Sequence, residues 1–351
     1  MLTPKAIQDR LAGLERLVKD EYKPAHPKPG REWARYERQW RRRLEGAARD
    51  LAPVVAQASR VHVERGRGAP HKVALEQRVL ILLLKVLFGK SNRVMAGLLV
   101  FFGLLAGIQL SYKSVERLHS DPAVGLALEN LHRLLLDRRG VDSAHVSGDG
   151  TGYGLSITRH YASTVQRQRD KAKENPVTPL VGPPAPGWKK VKRWVYVFRL
   201  LDLRTRLYVA TGTSLRSERD AYDRALGYLD RLGVHVESVR LDRLYSHPRD
   251  ADNFPGAAFW VLPRKGMVSL PVHHEWLAAM RSFVEDTVRH LEEYYRRQHS
   301  EVAFGADKRL LGWTLPQRRE DRLDRAAQAT MTWHNLLHLH GPDYPAPIPT
   351  A

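Results

Sequence analysis

The chain has 351 residues, 57 of them Lys or Arg against 38 Asp or Glu, a formal net charge of +19, and 43% of it is hydrophobic. That much apolar chain builds a real core in two domains or three small ones, and the charge favours a polyanionic partner, nucleic acid before an anionic membrane. The lack of cysteine excludes a disulfide scaffold, a thiol nucleophile and a cysteine zinc site, and the charges in MLTPKAIQDRLAGLERL leave no apolar core for an export signal.

Residues 1–140 read as a helical, basic region suited to binding DNA. Trp33, Tyr36, Trp40 and Leu44 recur at helical spacing as one face of a helix, with Arg35, Arg38, Arg41, Arg42 and Arg43 on the others. That basic side either lies along phosphates or is simply solvated. Val79 to Phe88 and Val94 to Ile108 are apolar; the second has 15 uncharged residues, fewer than a membrane span needs, so both read as buried helices. Residues 92–120 resemble a helix-turn-helix: an apolar helix ending near Gly107, then a helix capped by Ser111 and running through Leu118. Its second helix would turn Tyr112, Lys113, Glu116 and Arg117 outward, toward DNA; an ordinary helical hairpin is the alternative.

From residue 141 strands take over, in a region expected to extend to residue 340. Ser143 to Gly148 reads as a strand closed by a turn at GDGTGYG. Residues 156–193 form a long loop carrying nine basic residues against two acidic ones. Arg167, Arg169, Lys171, Lys189, Lys190 and Lys192 are its candidate DNA contacts, in a loop that embraces DNA or is merely a solvated insertion. Trp194 to Leu201 and Arg206 to Thr211 read as a hairpin, Glu218 to Leu232 as a helix between Ser217 and Gly233, and Ser238 to Leu241 and Ala258 to Leu262 as strands. One long helix is expected from about Glu275 past Glu301, and residues 341–351 form a Pro-rich tail. The order β-ββ-α-β-β-α is that of an RNase H-like α/β fold with a mixed sheet, first and fourth strands side by side.

Several familiar motifs fail on spacing. GKS at Gly89 has Leu84 where a phosphate loop needs glycine, GDGTGYG has Tyr153 in place of the last glycine of a dinucleotide fingerprint, and His274-Glu275 is followed by Ala278 rather than a second histidine. His334 and His338 are four apart but have no third metal ligand nearby in sequence.

Three acids remain. Asp149 closes the first strand and Asp242 follows the fourth; neighbouring parallel strand ends converge, and two carboxylates held together in little water are costly unless a cation neutralises them. Hard oxygen donors suit Mg²⁺ or Mn²⁺. On the long helix Tyr294, Arg297, Glu301 and Lys308 project at about 0°, 300°, 340° and 320°, a single face. Taken alone such a face is a salt-bridged surface stripe; beside two convergent aspartates it reads as part of a site.

Here residues 143–310 resemble the DDE transposases of insertion sequences. Asp149 in GDGTGYG, Asp242 in VRLDRLYS and Glu301 in YYRRQHSEVAFGADK look like their catalytic triad, and Tyr294, Arg297, Glu301 and Lys308 match the Y-(2)-R-(3)-E-(6)-K signature of one large group. Only 59 residues separate Asp242 from Glu301, so the β insertion that some relatives carry there is absent or reduced. The resemblance implies two Mg²⁺ or Mn²⁺ ions held by Asp149, Asp242 and Glu301. It implies nicking of element ends in double-stranded DNA by water, then strand transfer by the freed 3′-OH, with Tyr294, Arg297 and Lys308 on phosphates. It also implies a homodimer on paired ends and a cytoplasmic, nucleoid-associated place in a prokaryotic cell, with no membrane. Trp276 would stack a flipped base or, the stronger reading, sit in the core. A nuclease without strand transfer and a catalytically silent DNA-binding derivative are the alternatives.

Overall fold

The computed structural model describes residues 2–27, 30, 32–63, 71–106, 108–155, 194–266, 273–317 and 319–342, the side chains of 101–106 excepted. The basic loop with Arg167, Arg169, Lys171, Lys189, Lys190 and Lys192 therefore lies outside the described residues, as does most of the Pro-rich tail.

Helices come first: α1 (Pro4–Leu17), α2 (Trp33–Ala58), α3 (Leu75–Leu87), α4 (Asn92–Ala106), α5 (Tyr112–Arg117) and α6 (Pro122–Arg138), with a short helical turn at Lys23–Ala25 between the first two. Their starts follow from local chemistry. Thr3 accepts from the Ala6 N–H and Asp121 from Ala123 N–H, each with proline in the first turn, where its missing N–H has no intrahelical acceptor to lose. Apolar residues of α2, α3, α4 and α6 form one core; Lys85 of α3 lies within this layer, 2% exposed. No salt bridge joins the Lys85 ammonium among the described residues, and burial pushes it down to about 8. Its unfolded value is higher, so folding opposes the charged form below about 8 and the penalty fades as pH rises toward 10.5. Lys85→Met should stabilise the protein at pH 7 by about 1–3 kcal/mol, and by progressively less above pH 8; equal melting temperatures at pH 7 would contradict this.

Helix α2 forms as its spacing predicts, but the apolar face of its first turns is mostly exposed. Trp33, Tyr36 and Leu44 are exposed, Trp33 by 62%, and only Trp40 of the four packs toward the helical core. The spacing is amphipathic, and the buried residues of the helix begin at Gly46 and Ala47, with Trp40 partly buried ahead of them. The recognition-helix segment is also shorter than expected: α5 ends at Arg117 and Leu118–Ser120 continue as a 3₁₀ turn. Tyr112, Lys113 and Arg117 are exposed, whereas Glu116 turns inward to Arg322.

The second part is a mixed sheet of β1 (Ser143–Leu155), β2 (Trp194–Asp202), β3 (Tyr208–Ser214), β4 (His235–Arg240), β5 (Ala258–Trp260) and β6 (Thr314–Leu315). Its order is β3-β2-β1-β4-β5, with β6 on the far end of β1. Strands one and four do lie side by side and parallel, while β2 runs antiparallel to both β1 and β3. Helix α7 (Glu218–Leu232), capped by Ser217 and ended by Gly233 at φ 71°, covers one face. Helices α8 (His274–Glu285), α9 (Thr287–Tyr295), α10 (Gln298–Leu311) and α11 (Glu320–His338) complete the chain.

The terminal helices cross over. Ile7, Leu11 and Leu14 of α1 join the core of the sheet, and Trp333, Leu336 and Leu337 of α11 join the helical core. Through Leu323, Ala326 and Ala327 the same α11 also packs on the upper sheet. Among the described residues no helix is long and apolar enough to cross a membrane.

Two expectations about the sheet face are corrected. GDGTGYG does not turn: β1 runs straight through it to Leu155, pairing with β2 as far as Gly154. Of its four even-numbered glycines, Gly148 and Gly150 are those where neighbours crowd the backbone. A Cβ on Gly148 would sit 2.5 Å from Leu241, and one on Gly150 would sit 2.2 Å from the Glu218 carboxyl carbon. Glycine serves close approach here rather than a turn. The long helix is the second correction. It breaks at Asp286, where ψ is 80° and the side chain caps Arg289, and again at Arg296–Arg297, giving three helices.

Candidate active site

The odd-numbered residues of β1 face away from α7. Ser147 donates to the Arg297 carbonyl at 3.1 Å and shares a 2.6 Å bond with Ser300, so this face of β1 meets the start of α10. Asp149 is the next residue on that face and Thr151 the one after. The parallel ladder pairs Ser147 with Arg240; Asp149 lies two residues beyond the first and Asp242 two beyond the second, just past the end of β4, where it caps a 3₁₀ turn through the Arg243 N–H at 2.6 Å. Opposite them stands α10, with Glu301 in its first turn and Lys308 in its last.

Three buried polar contacts dock α9 and α10 on the sheet. The first is Ser147–Ser300. The second is Arg240 of β4, 1% exposed, paired to Glu293 of α9. The third is Arg199 of β2, fully buried and directly opposite Asp149 in the ladder, which pairs with Asp307 of α10 at 3.0 Å. Asp307 also accepts from the Tyr208 hydroxyl at 3.1 Å and lies 2.7 Å from His334 Nδ1. Each strand that bears or flanks an aspartate is thus tied by a buried contact to the helices facing it.

Electrostatics give each residue a different condition. Asp149 makes no salt bridge among the described residues; burial pushes its carboxyl up to about 7, Arg297 opposes that rise, and Glu301 and Glu218 add to it. Glu301 is half exposed and paired with Arg297 at 2.8 Å. The Arg297 guanidinium lies over the Tyr294 ring and feels Asp242 as well as Glu301. Tyr294 is only 4% exposed, so what it offers the surface is the ring face beneath Arg297. Lys308 reaches β1, donating to Thr151 and to the Gly152 carbonyl at 3.0 Å, over the rings of Tyr153 and Trp313. Burial and Arg199 lower its ammonium, against the attraction of Asp149.

The structure therefore brings Asp149, Asp242, Glu301, Tyr294, Arg297 and Lys308 to one side of the sheet, although α9 and α10 are separate helices. Tyr112, Lys113 and Arg117 lie in the helical layer and contact none of them. Trp276 is in the core, 1% exposed, and cannot meet a base. His334 holds Asp307 and the Arg206 carbonyl with its two ring nitrogens, and His338 stacks on it at 4.1 Å, so the pair serves packing.

The donor set is chemically apt for a hard divalent cation: three carboxylates, one of them, Asp149, partly buried and without a salt bridge among the described residues. It is not assembled as a cage. Among the described residues no three His, Asp or Glu side chains gather closely enough to hold a metal ion, and the acid nearest solvent, Glu301, is taken by Arg297.

Sequence reasoning missed Arg199, Asp307, Arg240 and Glu293. A signal did exist for Arg199: it is a lone charge inside the apolar strand WVYVFRLL, which is tolerable only with a buried partner. Nothing local identifies that partner.

The chain is 39% identical over 341 residues, covering 96% of each protein, to the probable transposase for insertion sequence element ISA1214 of Archaeoglobus fulgidus. No protein-family model and no solved structure matches it.

Proposed function

The chain belongs to the family of this insertion-sequence transposase, and from that premise we propose that it cuts the ends of an insertion sequence and joins them to target DNA as an RNase H-like DDE enzyme. The observation that supports the reading is the parallel ladder that pairs Ser147 with Arg240, two residues before Asp149 and Asp242, together with Arg297 interacting with both Glu301 and Asp242. The strand order β3-β2-β1-β4-β5 supports it.

Asp149, Asp242 and Glu301 are the residues that would hold Mg²⁺ or Mn²⁺, as two ions, which supply Lewis acidity and neutralise phosphoryl oxygens. The protein's own part is positioning. Arg297, with a planar fork of donors resting on Tyr294, suits a phosphate beside the scissile bond, and Lys308 adds a fixed charge at β1. Water displaces the 3′ oxygen at the element end; the freed 3′-OH then attacks a phosphodiester of the target and releases its 3′ oxygen. Neither displacement needs a protein nucleophile. Tyr112, Lys113, Arg117 and the basic segment 156–193 are the proposed contacts along the flanking duplex, and two copies would hold two ends.

The test is a duplex carrying the DNA that flanks this gene, incubated with the full chain and Mn²⁺ or Mg²⁺. Nicks at a fixed point, abolished by EDTA, and joined target products are expected. Nicks without joined products would make the protein a nuclease, and DNA bound but never cut would make it a silent binding protein. Affinity should also drop steeply with salt, by roughly 10³-fold or more between about 50 and 200 mM if six or more phosphates are contacted; a flat dependence would count against the basic contacts.

A further inference from the structure

The acid nearest solvent in the proposed triad is held by the protein's own arginine. Arg297 Nη1 lies 2.8 Å from a Glu301 oxygen, and the same guanidinium interacts with Asp242. A divalent ion at Glu301 beside the bound guanidinium would face a like charge at short range, which weakens its binding. Arg297 is also under-used where it sits, because its Nε is buried without a hydrogen-bond partner. It has donors to spare for a better anion, and a phosphate accepts two guanidinium N–H groups at once.

We propose that Arg297 and Glu301 form a latch that DNA opens: in the free protein Arg297 withholds Glu301 from the cation site, and a DNA phosphate draws Arg297 away and releases Glu301. The inference rests on the triad assignment of the preceding section and adds its regulation. The consequence is a DNA-gated site, in which the protein off DNA binds the metal weakly and has little capacity for stray cutting. Reciprocity is required: whatever factor DNA adds to metal affinity, metal adds to DNA affinity.

The experiment reads metal binding rather than turnover. Mn²⁺ is titrated into the full chain and followed by electron paramagnetic resonance, with and without a short duplex held at low salt. Wild type should bind Mn²⁺ weakly alone and more tightly with the duplex, by a factor in the range of roughly 5- to 150-fold typical of coupled sites. Arg297→Gln should bind Mn²⁺ tightly without DNA and lose most of that coupling. Glu301→Gln should show the reciprocal effect, tighter duplex binding in EDTA because Arg297 is no longer engaged. If Arg297→Gln, folded by circular dichroism, binds Mn²⁺ no better than wild type, the latch is wrong. If it binds tightly but Arg297→Gln with Asp149→Asn binds equally tightly, the ion is not at these carboxylates, and the triad assignment itself fails.

Discussion

Asp149→Asn should remove DNA cutting and, in metal-free buffer, make the protein more stable. The loss follows from the proposed role: without this carboxylate the cation is no longer held at the scissile phosphate. Several kcal/mol of Lewis-acid stabilisation goes with it, roughly 10³-fold or more in rate. The gain follows from burial. The carboxyl ionises near 3.8 in the unfolded chain and only near 7 in the fold, so the cost of its charge builds as pH rises between those values and is complete above 7. Asparagine carries no such cost. Discounted for residual solvent contact, its advantage should be about 1–3 kcal/mol at pH 8 and vanish toward pH 4.

Melting curves at both pH values in EDTA would show it, at roughly 2–4 °C per kcal/mol. Added Mn²⁺ should reverse the ranking, since it stabilises only the protein that binds it. Glu301→Gln should lose cutting equally but gain no such stability, because Glu301 is half exposed and already paired with Arg297. A variant of Asp149 that melts at or below wild type at pH 8 would sink the idea that this carboxylate is held against its preference.

The second large effect concerns the frame behind the site. Arg199→Met should destabilise by about 3–5 kcal/mol, because Asp307 is left buried with only the Tyr208 hydroxyl and His334 for compensation. The melting temperature should fall by roughly 10 °C. Asp307→Leu alone should cost a similar amount by stranding Arg199, which would keep only neutral acceptors at the Ala327 carbonyl and Thr330. The double variant should recover much of the loss, since replacing both partners removes two desolvation costs along with one attraction. Asp307 also directly precedes Lys308, so either single variant should loosen the hold of α10 on β1 and slow cutting beyond what lost stability explains. Single variants that melt within about 1 kcal/mol of wild type would show that the pair does not dock α10.

What was legible beforehand was whatever depends on neighbours in sequence. Helix α7 was readable because Ser217, an amphipathic run and Gly233 are all local signals, and the hairpin of β2 and β3 because alternation and a turn lie within one stretch. The three acids and the Tyr294, Arg297, Lys308 spacing were readable as a pattern. Tertiary structure alone decided the rest. Whether GDGTGYG turns or runs straight depends on Glu218 and Leu241, far along the chain, filling the space where side chains would be. Whether Trp33 and Tyr36 are buried depends on which elements pack on α2, and α11, from the other end of the sequence, meets it through His338 at Arg43. The partners of Arg199 and Arg240 lie 108 and 53 residues away. Spacing announces periodicity and caps because these act within one turn or strand; it is silent on burial, close approach and charge pairing, which are properties of surfaces that meet only once the chain has folded.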